Sequence, residues 1–230
     1  MAFSIYSPAD DLPALEALAH SMKAHGVELG ERQTAFGARE LRRARLESGL
    51  RYVCLNLEND TAAYHADDLR ALAGFCEANG IGALVFRRPG GDIQKALEAL
   101  DTLAVFRLNV AFENCDGSFL SDIKDLDGFY RKNRGALLCY NGAEFAKKRV
   151  HPFLSALEGQ TCRRQLFMIR VRDCRFDGLD ALPGDGDAEL AESFSAAAGL
   201  GRDPWASVAA YGGFGLAEIH RRMLSALLKI

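Results

Sequence analysis

Residues 83–140 read ALVFRRPGGDIQKALEALDTLAVFRLNVAFENCDGSFLSDIKDLDGFYRKNRGALLCY. Three short apolar runs, Ala83–Phe86, Leu108–Phe112 and Ala136–Tyr140, are separated by Ile93–Ala104 and Ser121–Lys132, where apolar residues return every three or four positions. An apolar run without alternation is how a strand buried on both faces reads, and a 3.6-residue period is that of a helix lying against such strands. The unit is strand, loop, helix, strand.

The same unit recurs on both sides of this stretch. Upstream lie the runs Phe3–Tyr6, Val27–Leu29 and Tyr52–Leu57, with helical periods over Leu12–His25, Ala38–Glu47 and Asp67–Asn79. Downstream come Leu166–Val171 and Trp205–Ala209, with Val150–Leu157, Ala188–Ala198 and Leu216–Leu228. Asp67 and Asp68 suit a helix start, Pro152 a first turn, and Gly26, Gly80 and Gly199 left-handed helix stops. Strict strand–helix alternation demands right-handed crossovers, which leaves an open doubly wound sheet or a closed barrel. Eight repeats favour closure, and the first turn, Tyr6-Ser7-Pro8-Ala9-Asp10, lacks the glycine fingerprint of a nucleotide-binding sheet. The expected fold is α/β, a single-domain (β/α)8 TIM barrel over residues 1–230, a normal length for one barrel.

Composition narrows the classes of partner. The formal net charge is -3, so no global field draws the chain to nucleic acid or an anionic membrane. No apolar run approaches a membrane span, and the start at Met1 lacks the pattern of an export signal. The six cysteines show neither a CxxC nor a zinc-finger spacing, so they read as reduced thiols in a cytoplasmic setting.

Three elements carry a family resemblance: Gly26-Val27-Glu28-Leu29, then Val110-Ala111-Phe112-Glu113-Asn114, then Ile169 to Asp187 followed by Asp203-Pro204-Trp205-Ala206-Ser207-Val208-Ala209-Ala210-Tyr211. In these the chain resembles the xylose-isomerase-like barrels, which include sugar-phosphate isomerases, ketose 3-epimerases, hydroxypyruvate isomerase, inosose dehydratase and endonuclease IV. The resemblance implies a site at the barrel mouth, where a Glu, an Asp, a His and a second Glu hold a divalent cation and the glutamates move a proton beside a carbonyl. Carried over, the first Glu is Glu113, the Asp position falls on Asn141, the His on Arg170 and the last Glu on Ala209. One carboxylate, one amide and a permanent cation suit a hard divalent ion poorly, so no metal or other cofactor is expected.

On that reading Glu113 is the candidate catalytic base, and Arg170 the positive charge that steadies an enediolate-like oxyanion. Arg87, Asn141, Arg172, Asp173, Glu28 and Tyr211 are candidate substrate-binding residues, with one Arg of each mouth pair expected to point inward. The second carboxylate an epimerase needs is Glu28, Glu58 or Glu144. The implied function is isomerisation or epimerisation of a small sugar, sugar phosphate or sugar acid. The alternatives are a non-catalytic barrel whose mouth holds an anionic metabolite and, more remotely, an endonuclease-IV-like hydrolase. Partners are small molecules rather than nucleic acid or membrane, and a homodimer stays open. The five histidines fall on helices or their edges, away from the strand ends; Cys115 and Cys139 lack a partnering His and read as small apolar side chains. The loop Leu182–Asp187 is expected to shape the mouth.

Overall fold

The computed structural model describes residues 1–8, 10–158, 161–200 and 204–227. Eight parallel strands close into a barrel: β1 (Phe3–Tyr6), β2 (Gly26–Gly30), β3 (Arg51–Leu57), β4 (Ala83–Phe86), β5 (Asn109–Glu113), β6 (Ala136–Tyr140), β7 (Leu166–Arg170) and, after a two-stranded excursion, β10 (Trp205–Ala209). Neighbours in sequence are neighbours in the barrel, and β10 closes on β1 with Phe3 opposite Ala206. No helix among the described residues is long and apolar enough to cross a membrane.

Alternation along each strand divides its side chains between two layers. Ile5, Val27, Leu29, Leu55, Leu84, Phe86, Phe112, Leu138 and Ile169 pack outward beneath the helices. Val53, Cys54, Ala83, Val85, Ala111, Cys139 and Met168 fill the lower barrel, with Phe167 and Trp205 against them. Above that apolar plug the inward positions turn polar, and the site is built there.

The helices are α1 (Leu12–Ser21), α2 (Ala38–Ser48), α3 (Ala66–Asn79), α4 (Ile93–Leu103), α5 (Ile123–Lys132), α6 (Gly142–Ala146), α7 (Leu190–Ala198) and α8 (Leu216–Leu227). Asp11 and Asp92 accept from the Ala14 and Gln94 amides, satisfying donors that a helix start leaves unpaired. Asp68 returns a bond to the His65 amide at the start of α3, and Gly80 stops that helix at φ 65°.

Several sequence expectations need correction. Gly26 lies inside β2, where a Cβ would sit 2.6 Å from the Arg51 carbonyl, so it is a close-approach glycine and not a helix stop. The first helix ends at Ser21 and the left-handed residue is Lys23; Gly199 ends α7 at φ -81°. The helix expected over Val150–Leu157 is a short π turn, Phe153–Leu157, and the helix after β6 is the five-residue α6. The left-handed Arg149 at φ 59° breaks the helical path after α6, and the turn starts only beyond Pro152. The loop after β7 carries a small antiparallel pair, β8 (Asp173–Cys174) and β9 (Asp180–Ala181), for which the sequence reading had no signal. Ala9, Asp203 and Leu228, which fall in segments read above, lie outside the described residues.

The outer layer is held by an aromatic group: Phe112 stacks on Phe86 at 5.2 Å and meets Phe119 and Phe129 edge-on. Phe112→Ala is expected to cost about 3–5 kcal/mol through lost burial and the cavity left behind, measured as a lower urea midpoint at unchanged slope. A cost below about 1 kcal/mol would contradict this packing.

Candidate functional site at the barrel mouth

The polar layer begins where the inward positions of β1, β2, β3, β7 and β10 present Ser4, Glu28, Asn56, Arg170 and Ser207, all buried. Arg170 enters this ring from β7 with its side chain 5% exposed. Its Nε donates to Glu113 Oε2 at 2.9 Å and its Nη1 to Glu28 Oε2 at 2.5 Å and Ser207 Oγ at 2.6 Å. Nη2 donates to Asn56 Oδ1 at 2.9 Å, while Ser4 donates to the other oxygen of Glu28 at 2.7 Å. Burial by itself would raise both carboxyls, but the Arg170 charge and the hydrogen bonds to them prevail and hold Glu28 and Glu113 below their ordinary value of 4.5. Both are ionised around one cation.

Glu113 ends β5 and links this buried ring to the open mouth. Its Oε1 accepts from Asn141 Nδ2 at 3.1 Å and its Oε2 also from Arg87 Nε at 3.4 Å. Arg87 then reaches Glu58 through Nη1 at 3.0 Å and lies 4.8 Å over the Tyr6 ring, whose hydroxyl donates to Glu58. Asn114 fixes the next strand end: its side chain accepts from the Asn141 amide at 2.7 Å and donates to the Asn141 carbonyl at 2.8 Å.

Above Glu113 opens a cavity of about 660 Å³ whose lining includes Glu58, Arg87, Arg88, Glu113, Asn141, Glu144 and Arg172. Asp60, Cys115 and Asp116 complete its charged and sulfur-bearing wall. Arg172 spans the far side, bonded to Glu144 at 3.4 Å and Asp180 at 3.2 Å, with its guanidinium over the Tyr211 ring. Two buried polar atoms of lining residues have no partner: Asn141 Oδ1, an acceptor, and Arg172 Nε, a donor. Burial raises the Cys115 thiol to about 11, so it stays protonated at neutral pH and is a poor nucleophile.

Of the residues singled out from sequence, Glu113, Arg87, Asn141 and Arg172 line the cavity together, and Glu58 and Glu144 join them as carboxylates. Of the pair expected to split, Arg87 turns inward to Glu113 and Glu58 while Arg88 is exposed, and both border the cavity. The others are placed elsewhere. Glu28 lies in the buried ring, and Arg170, expected to face a bound anion, has its donors committed to that ring. Asp173 sits beneath the Leu182–Asp187 loop, where its carboxylate accepts from the Cys174, Gly184, Gly186 and Ala188 amides. A Cβ on Gly186 would fall 2.3 Å from that carboxylate, so the loop can close only around glycine. Tyr211 tightens the same loop, accepting from the Asp173 amide and donating to the Ala181 carbonyl. Ser4, Asn56 and Ser207 were not read as site residues, although a polar side chain at an inward position of an otherwise apolar strand was the available signal.

The donor set does not fit the divalent cation that the family resemblance implies. Among the described residues no three His, Cys, Asp or Glu side chains converge as metal ligands, and a guanidinium stands between the two buried carboxylates.

No family model matches the sequence, and no curated protein does. Solved structures do match the fold over its full length. A D-tagatose 3-epimerase-like protein superposes with TM-score 0.77 at 11% identity, covering 100% of this chain and 97% of its own. The probable 3-DHS dehydratase AsbF of Bacillus anthracis gives 0.75 at 11% identity, covering 100% and 99%. The 3-keto-D-glucoside 4-epimerase YcjR of E. coli gives 0.74 at 12% identity, again covering 100% and 99%. At these identities the likeness establishes the fold.

The carboxylates of the ring set the acid limit of stability. Their folded values lie below 4.5, so their contribution is complete above about pH 4.5 and is lost as the pH falls through the lowered folded values. Urea midpoints should therefore hold from pH 7 to 5 and drop steeply below pH 4.5, with a shallower drop in Glu28→Gln. Arg170→Met, which leaves buried Glu28 without a counter-charge and Glu113 with Arg87 alone, should cost about 3–5 kcal/mol at pH 7. An Arg170→Met protein as stable as wild type would mean that the ring is not ionised as described.

Proposed function

We propose, for a chain with the xylose isomerase-like barrel fold, that the mouth cavity binds a neutral polyhydroxylated molecule of the sugar class without the help of a divalent metal. The observation that carries this reading is the charge state of the wall. Arg87 and Arg172 are each matched by two carboxylates, Arg170 is sealed in the ring below, and Lys147 and Lys148 pair with Glu144 and Asp116, so the wall carries little unmatched charge. A phosphate or carboxylate ligand would find the Arg87 and Arg172 guanidinium groups already paired, whereas hydroxyl groups can donate to Glu58 and Glu144 on the cavity wall. A sugar has the alternating donors and acceptors that such a wall needs. The net charge of -3 argues against a nucleic-acid substrate.

A second reading, sugar isomerisation or epimerisation, draws on the carboxylates sharing this cavity. One carboxylate would take the proton from a carbon beside the ligand's carbonyl, leaving an enediolate and a protonated carboxyl. For isomerisation the same carboxyl would return the proton to the neighbouring carbon; for epimerisation a second carboxyl would deliver one to the opposite face of the first carbon. Glu113 is the deepest carboxylate, but its two guanidinium partners lower its basicity, so Glu58 or Glu144 must share the proton traffic. Arg87 and Asn141, which reach both Glu113 and the cavity, would orient the carbonyl end.

Calorimetric titration with matched sets of ketoses and aldoses, their phosphates and their acids tests the binding reading. A neutral sugar should bind at least about tenfold more tightly than its phosphate, and Asn141→Ala should weaken it by about 1 kcal/mol. Preferential binding of the phosphates would overturn the reading. Incubation of the best ligand in deuterium oxide then separates the two proposals, because carbon-bound deuterium appears only if the site moves a proton. Dialysis against EDTA should change neither melting temperature nor affinity; a loss restored by Mn²⁺ would show a metal requirement.

A further inference from the structure

The ring under the mouth is organised to receive a cation, and that organisation does not come from Arg170 alone. Ser4, Glu28, Asn56, Glu113 and Ser207 belong to five different strands, each held in its own barrel register. Ser4 orients one oxygen of Glu28, and Asn56 Nδ2 donates to the other at 3.2 Å. Asn141 orients Glu113 from above. The acceptors are thus aimed inward, from the barrel strands, by contacts outside the guanidinium. They surround a plane rather than a point. Two carboxylate oxygens, one amide oxygen and one hydroxyl meet three separate nitrogens at 2.5–2.9 Å, which matches a flat, multiply donating group. A divalent metal would need its ligands drawn to about 2.0–2.6 Å from one centre.

We propose that this ring is a binding site for a guanidinium-type cation, which the chain fills from within by the Arg170 side chain. When that side chain is shortened, the ring takes up a free guanidinium ion. The physical reason is the cost of leaving Glu28 without a counter-charge and Glu113 with Arg87 alone: the ring must take up a proton, admit water or capture a cation, and the acceptor pattern selects a planar one. In the intact protein Arg170 is accordingly a positioning residue. It fixes Glu113 so that the Oε1 edge faces Asn141 and the mouth, whichever ligand the mouth takes.

Chemical rescue tests this without knowledge of the ligand. Arg170→Ala should melt several degrees below wild type at neutral pH, as expected when a buried pair is broken in a domain of this size. Low-millimolar methylguanidinium, far below denaturing concentrations, should recover part of that loss saturably. Methylammonium, sodium or Mn²⁺ at equal ionic strength should recover much less. Wild type should not respond, and Arg170→Ala combined with Glu28→Gln and Glu113→Gln should not respond either. Equal recovery by methylammonium or sodium, stronger recovery by Mn²⁺, an unchanged response in the triple variant, or no recovery at all would each overturn the proposal. If Arg170→Ala does not fold in plain buffer, refolding with methylguanidinium or with methylammonium, followed by near-ultraviolet circular dichroism, makes the same distinction. Folding only with methylguanidinium supports the site, and failure in both overturns it.

Discussion

The guanidinium of Arg170 lies between Glu28 of β2 and Glu113 of β5, strands on different sides of the barrel, and the polar half of the interior depends on that bridge. Above the Cys54, Val85, Ala111, Cys139 and Met168 plug, two ionised carboxylates stand where water has little access. Taking them from water costs several kcal/mol each, and the Coulomb attraction of one cation offsets this only with good geometry and satisfied lone pairs. Ser4, Asn56, Ser207 and Asn141 supply those extra bonds. Such an arrangement specifies more than it stabilises. An apolar filling of equal volume would hold the barrel as well, but it would not fix the direction in which Glu113 presents its free edge.

From that edge the electrostatics of the mouth follow. Glu113 shares Arg87 with Glu58, and Arg87 lies on Tyr6, so one chain of contacts runs from the buried ring to the rim. On the far wall Arg172 is tied to Glu144 and Asp180 and stacked on Tyr211. Guanidinium charges paired inside the protein have little left for a charged ligand, and what the wall offers is hydrogen bonding from its polar side chains. This is why a barrel with several arginines near its mouth is read as a site for hydroxyl groups.

The far wall depends on Asp173, which gathers four backbone amides of the loop that follows β7. With Tyr211, which reaches over from beyond β10 to bond both strands of the hairpin, it places Asp180 within reach of Arg172. Asp173 and Tyr211 therefore act on the mouth through the loop they hold, while Glu58 and Glu144 line it directly.

Fold and site differ in how far they can be read without coordinates. Continuous apolar runs alternating with a 3.6-residue period determined the eight strands, their order and the closed barrel, because both signals are local and each repeats eight times. The same alternation brought Glu113, Arg87, Asn141 and Arg172 to the strand ends where the cavity opens. It could not say how an arginine's donors are spent. Arg170 and Glu28 are 142 positions apart, and Arg170 and Asn56 are 114 apart. A long flexible side chain at a correctly read strand end can turn up into the mouth or down into the barrel. Sequence spacing does not distinguish the two, because the choice rests on which buried acceptors lie within reach of the guanidinium, and only barrel closure brings Glu28, Asn56, Glu113 and Ser207 to the same few ångströms.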